Sequence, residues 1–149
     1  MTKATDLLLA YENLTWDLYI DLSDDLTVIN PLNIEGELLK QAHRFSYYSG
    51  LCENAKKDCE ILEIELTQCQ ASARIRGQEE CKSSNTRPTG AILDSFINSD
   101  ESCINITLKL ADNKYKLGLL KSLMQALSHK KDMLVQLSAN QRTEKGIYS

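Results

Sequence analysis

The sequence predicts an all-α fold, and three observations carry it. Leu38, Phe45, Cys52, Cys59, Leu66 and Ala73 recur every seven residues, and Tyr48, Ala55, Leu62 and Cys69 form a second series offset by three. This is the a/d seam of a coiled-coil helix. A second such seam follows later, with Cys103, Ile106, Leu110, Leu117, Leu120, Met124, Leu127 and Leu134 at a/d spacing and Asn113 and Lys131 as its polar positions. Punctuation is scarce: 6 Gly and 2 Pro in 149 residues, against roughly 12% for the two together in an average chain. The architecture expected is an antiparallel hairpin of two long coiled-coil-like helices, with a short N-terminal helix and a small helical elbow, completed by oligomerisation.

The elements follow in order within one helical domain, 1–149. Residues 5–21 place Leu7, Leu8, Tyr11, Leu14 and Leu18 at helical spacing, and an acidic N-terminal segment is expected over 1–25. Ser23-Asp24-Asp25 should break that helix, leaving an extended linker with at most a two-residue strand at Thr27-Val28-Ile29. Asn30-Pro31 marks a turn. The first long helix is expected over 33–76, with Asn33 as N-cap, Glu35 and Glu37 at the positive end of its dipole, Arg74 and Arg76 at the negative end, and Gly77 just past its last turn. A seam held over some 40 residues, roughly 60 Å at 1.5 Å per residue, needs a partner of similar length. Residues 77–98 read as a polar loop followed by a short helix over 90–97 capped by Thr89. Asn98 with Glu101 reads as a capping box that opens the second long helix, 99–144.

Charge is unevenly placed. The net charge is −4, but residues 1–37 carry −7, residues 38–98 balance, and residues 99–149 carry +3. Such a chain can pair head to tail with its own copies or meet partners of opposite sign. No apolar run reaches the ~18–20 residues of a membrane span, and the start of the chain is too short in apolar residues and too acidic for a signal peptide. Five cysteines, three of them on the first heptad seam, suit a reduced, cytoplasmic protein.

Catalytic and metal chemistry find little support. No CxxC pair is present, and His43 and His129 stand far apart, so no zinc site is expected. Gly118-Leu119-Leu120-Lys121-Ser122 lacks the glycine before lysine and the preceding strand of a phosphate loop. Asp17, Asp21, Asp24 and Asp25 read as an acidic solvent face or a dock for basic side chains rather than an ion site. Two packed helices offer no concave substrate pocket. The expectation is a binding protein without cofactor, not an enzyme.

The binding candidates are basic. Lys109, Lys114, Lys116, Lys121, Lys130 and Lys131 face only Asp112 over 109–131, a surplus of +5, and Lys57, Arg74, Arg76 and Arg142 add to it. Lys114, Lys121 and the 130/131 pair can share one helix face. A stripe of this kind suits phosphates in a salt-dependent way, with Tyr47, Tyr48 or Tyr115 able to stack bases. The alternative is that the lysines pair with Glu53, Glu60, Glu63 and Glu65 across the hairpin as e/g residues do. Leu38, Phe45, Leu117, Leu120, Met124 and Leu127 are the candidate oligomer interface.

The layout resembles the phage recombination mediators of the T4 type, the UvsY-like family. An acidic N-terminal segment carries Trp16-Asp17 and Ile20-Asp21. Asn30-Pro31 follows, then His43-Arg44-Phe45-Ser46-Tyr47-Tyr48, the spaced pair Arg74-Ile75-Arg76, a polar loop, and a C-terminal helix with Ala126-Leu127-Ser128-His129-Lys130-Lys131 and Asn140-Gln141-Arg142. The resemblance implies a helical homo-oligomer that binds single-stranded DNA and helps a RecA-like recombinase displace single-strand-binding protein. It assigns Arg74 and Arg76 to DNA and the Lys130–Lys131 region to assembly or DNA, in the cytoplasm of a host cell. The chain's net negative charge departs from the basic character of such mediators. The other reading is a helical protein-interaction module: a scaffold, assembly adaptor or anti-defence protein that does not bind DNA.

Overall fold

A computed structural model describes residues 11–147. Leu7 and Leu8, expected on the first helix, lie outside them. The described residues are helical, with no strand among them. A short 3-10 turn, Tyr11–Asn13, leads into α1 (Trp16–Thr27); α2 (Ile34–Ser83), α3 (Gly90–Ser99) and α4 (Glu101–Ile147) follow. The chain divides into two compact units. One joins residues up to 55 with those from 116 onward, and the other is Lys56–Tyr115. Among the described residues no helix is long and apolar enough to cross a membrane.

In the first unit, α1 packs on the N-terminal part of α2 and the C-terminal part of α4. Gln41 donates to the Leu127 carbonyl at 2.6 Å and Lys130 to Glu37 at 2.7 Å, so α2 and α4 run antiparallel. Lys116 reaches the Glu12 carbonyl and Lys130 the Leu26 carbonyl, both across a separation of 104 residues. A constant separation means that this N-terminal segment advances in the same direction as α4. Leu14, Leu22, Leu26, Leu120, Leu123, Leu127 and Leu134 are fully buried between the three segments. A fully buried leucine contributes on the order of 1.5–3 kcal/mol, so this leucine cluster is the unit's main source of cohesion.

The expected break at Ser23-Asp24-Asp25 is a correction: α1 continues to Thr27, because Leu22 and Leu26 lie one turn apart on its buried face. Thr15 caps it, accepting from the Leu18 N–H at 3.2 Å. The Asn30-Pro31 turn stands as expected, with the Leu32 N–H on Asn30 Oδ1 at 3.0 Å. So does the Asn33 cap, which accepts the Gly36 N–H at 3.2 Å.

In the second unit the C-terminal part of α2 lies antiparallel to the N-terminal part of α4, with Lys114 on Glu63 at 2.8 Å and Cys69 beside Cys103. Cys59, Leu62, Ala73, Cys81, Cys103 and Leu110 are buried, together with the seam's polar Asn113. Gly77 does not end α2 as expected. It is buried within the helix, where a Cβ would stand 2.9–3.2 Å from Phe96 and Leu93 of α3. The glycine is there for close approach of α3, and α2 runs on to Ser83.

The stop is Asn85, whose φ of 52° puts it in the left-handed region. The Thr86 N–H returns to the Cys81 carbonyl at 2.8 Å and the Asn85 N–H to Lys82 at 3.2 Å, a Schellman closure. Thr89 caps α3 as expected through the Ile92 N–H at 3.3 Å. The cap of α4 is Asp100 rather than Asn98: its Oδ1 accepts the Cys103 N–H at 2.9 Å.

Candidate nucleic-acid interface

The seam of α4 decides which lysines face solvent. After Leu127 the buried positions step by three and then four, to Lys130 and Leu134. Lys131, expected on the seam, is therefore exposed, and Lys130 is the buried one. Its Nζ donates to the Leu26 carbonyl at 2.9 Å and to Glu37 Oε2 at 2.7 Å, with only 2% of the side chain exposed. Glu37 also meets Arg44 at 3.8 Å, and its carboxyl is held below its ordinary range, first by the Lys130 hydrogen bond. Lys130 is thus withdrawn from the expected DNA stripe: it joins three elements of its own unit.

The other predicted cations divide. Lys116 spends a hydrogen bond on the Glu12 carbonyl at 2.8 Å. Lys114 donates to Glu63, whose carboxylate holds its pKa above the ordinary lysine range; this is the e/g pairing weighed as the alternative. Lys57, Lys109, Lys121, Lys131 and Arg142 are exposed. Lys131 lies 3.5 Å from Asp132, and Arg142 Nε donates to the Ser138 carbonyl at 3.3 Å, both surface contacts on their own helix.

Arg74 and Arg76 project from neighbouring positions late in α2. Arg74 is 3.9 Å from Asp94 and remains half exposed. Arg76 is bound to Asp100. It borders an open hollow of about 730 Å³ whose rim also holds Glu79, Glu80 and Glu101. Four carboxylates around one guanidinium oppose a phosphate there, so Arg74 is the better-placed member of the pair.

Tyr48 is core, at 2% exposure, while Tyr47 stands edge-on to it with ring centroids 5.2 Å apart and is exposed. Tyr115 is also exposed. Tyr47 and Tyr115 present exposed rings to solvent; Tyr48 does not.

The predicted oligomer interface divides as well. Leu117, Leu120 and Leu127 are buried inside their own copy and cannot face a sister chain, because the hairpin itself consumes that side of the seam. Met124 is half-buried. Leu38 and Phe45 remain accessible, lining a mostly apolar hollow of about 400 Å³ with Gln41, Ala42, Ser128 and Lys131. Apolar side chains outside the seam are bare instead. Ile61, Ile64 and Ile75 of α2 are exposed, as are Ile104, Leu108 and Tyr115 of α4. The α4 set falls at i, i+4 and i+11, a single stripe.

Two features escaped the sequence. Gln41 is a buried polar residue at a d position of the first seam, one heptad before Tyr48, and its amide oxygen has no protein partner. Cys69, Asp100 and Cys103 gather with their ligating atoms within 4.8 Å of one another. Only the Asp100-x-x-Cys103 spacing could have hinted at the second; Cys69 is remote in sequence. Compared with protein-family models, curated proteins and solved structures, the chain matches none.

Proposed function

We propose that this chain is a homo-oligomeric, single-stranded-DNA-binding recombination mediator that helps load a RecA-like recombinase in place of single-strand-binding protein. The observation that carries the reading is the apolar surface a single copy leaves bare. Leu108 is 64% exposed and Ile64 60% exposed on opposite long helices. Stripes of this kind on a helical pair mark sites of further association. Assembly would multiply the cations each copy offers, namely Lys57, Arg74, Lys109, Lys121, Lys131 and Arg142. Several modest contacts then act together. The resemblance in layout to T4-type mediators supports the same reading. Binding would be salt-dependent, with log affinity falling by roughly 0.7 per phosphate contact per decade of salt for a single strand.

The test is native mass and oligo-dT binding measured together over a salt series. The reading expects one oligomer that persists at high salt and DNA affinity that falls steeply. It expects Arg74→Ala with Lys109→Ala and Lys131→Ala to weaken binding at least tenfold. A monomer, or no binding at low salt, overturns it.

A second reading is favoured by the carboxylates around Arg76 and by the Lys114–Glu63 pair. Here the chain is a helical interaction module, a scaffold, adaptor or anti-defence protein, whose cations serve its own fold. An intact oligomer with no DNA affinity would select it.

A further inference from the structure

Cys69 lies late in α2 and Cys103 in the first turn of α4, 34 residues apart in sequence, yet their Sγ atoms stand 2.8 Å from each other. Both are free thiols. The position of Cys103 is fixed from two sides: Asp100 Oδ1 accepts its backbone N–H at 2.9 Å, and Asp100 is itself tied to Arg76 of α2. Cys69 Sγ donates to the same Asp100 oxygen at 3.6 Å. One carboxylate thus pins the two helices at the height where their thiols meet.

Two chemistries suit such a pair, and the geometry separates them. In a tetrahedral zinc site with bonds of about 2.3 Å, neighbouring sulfurs sit about 3.8 Å apart. A disulfide brings them to about 2.05 Å. The observed gap is nearer the second. Asp100, the third possible ligand, already serves the Cys103 N–H, Cys69 and Arg76. No histidine occurs between 56 and 115 to complete a metal's shell.

We propose that Cys69 and Cys103 are a reversible oxidation site, forming an intramolecular disulfide that fastens α2 to α4 within the second unit when the chain meets a peroxide. Cys69 is half-buried and Cys103 buried, so Cys69 meets the oxidant first. Its sulfur takes one oxygen from hydrogen peroxide to give a sulfenic acid, and the other oxygen leaves as water. The Cys103 sulfur then attacks the Cys69 sulfur. The sulfenic oxygen departs with the Cys103 proton as a second water, and the S–S bond forms. Two thiols and one peroxide give one disulfide and two waters. Burial first, and then the contacts with Cys69 and Asp100, push the Cys103 thiol up to about 12. The thiolate is the reactive form, so the buried Cys103 is not the sulfur that meets the peroxide first. This site does not depend on the DNA-binding reading.

The experiment uses the full chain at low concentration, treated with one equivalent of hydrogen peroxide and then alkylated under denaturing conditions. Two of the five thiols should be lost, with a 69–103 cross-linked peptide in the digest, no dimer on a non-reducing gel, and full recovery with dithiothreitol. The oxidised chain should melt several degrees higher. Cys69→Ser and Cys103→Ala should each abolish the cross-link, while Cys81→Ser should leave it intact; helix content by circular dichroism confirms that each variant folds. Cys69→Ser, at the more exposed position, keeps the test open if Cys103→Ala does not fold. Undiminished thiols, an intermolecular dimer, or one equivalent of zinc whose removal by a chelator exposes both thiols would each overturn the proposal.

Discussion

Lys130 of α4 and Glu37 of α2, 93 residues apart in sequence, meet at 2.7 Å with the lysine side chain 2% exposed. The Leu26 carbonyl takes a second Nζ hydrogen, so the ammonium is matched on two sides. Breaking a buried pair by removing one partner costs about 3–5 kcal/mol, because the other charge is left stranded. Glu37 keeps Arg44 at 3.8 Å, so we expect Lys130→Ala to sit at the lower end, about 3 kcal/mol by urea unfolding. Glu37→Gln with Lys130→Met should lose much less. An exposed lysine would give under about 1 kcal/mol in either experiment.

The same pair has a pH signature. The folded carboxyl of Glu37 is depressed, chiefly by the Lys130 hydrogen bond. The unfolded chain therefore binds the proton more readily. The contribution is fully present above the ordinary glutamate range and is lost as pH falls through the folded value. Lys130→Met should flatten the stability–pH curve below about pH 4.5, near the ordinary carboxyl value; an unchanged acid limb would contradict the assignment.

Asp100 should behave likewise over a lower window. The Cys103 N–H first, and Arg76 next, hold its carboxyl down to about 2. Its stabilising effect is complete above its ordinary value of about 3.9 and fades as pH falls towards about 2. Asp100→Asn keeps a capping oxygen but no charge. It should retain α4 by circular dichroism and lose the pH dependence across that window, whereas Asp100→Ala should lose the cap as well and be less stable even at pH 7.

The end of α2 rests on Asn85 at φ 52°. Glycine takes that conformation without penalty, and a β-branched residue does so only with strain. Asn85→Gly should hold or raise the thermal midpoint, and Asn85→Val should lower stability by about 1–2 kcal/mol. Equal midpoints for the two would show that the Schellman closure does not govern this turn.

Assembly is tested away from the hairpin core. Ile104→Glu with Leu108→Glu changes exposed positions, so helix content should persist while native mass falls to that of a single chain. Leu120→Ala, at a fully buried position, should instead cost about 2–5 kcal/mol of folding stability. A double glutamate variant with unchanged mass would remove this stripe from the interface.

Helix existence was legible because it is local. The heptad series, the Thr89 and Asn33 caps and the Asn30-Pro31 turn each involve residues within a few positions of one another, and each stands in the structure. Boundaries were less so. Ser23-Asp24-Asp25 looked like a break and Gly77 like a stop, yet Leu22 with Leu26 and the packing of α3 on Gly77 overrode those preferences. The DNA stripe was the least secure, because cations that share a helix face in sequence need not share a partner.

By itself the chain's sequence determined that it would be helical, where two long seams lie, and that each seam needs another helix. Only tertiary structure decided that Lys130 rather than Lys131 points inward, that Leu117, Leu120 and Leu127 are consumed within one copy, and that Cys69 stands against Cys103. The reason is one of range. Helical periodicity is set by the backbone bonds of adjacent turns. The meeting of residues 34, 93 or 104 positions apart is set by the stagger at which whole helices pack, and a one-residue change in that stagger exchanges a buried lysine for an exposed one.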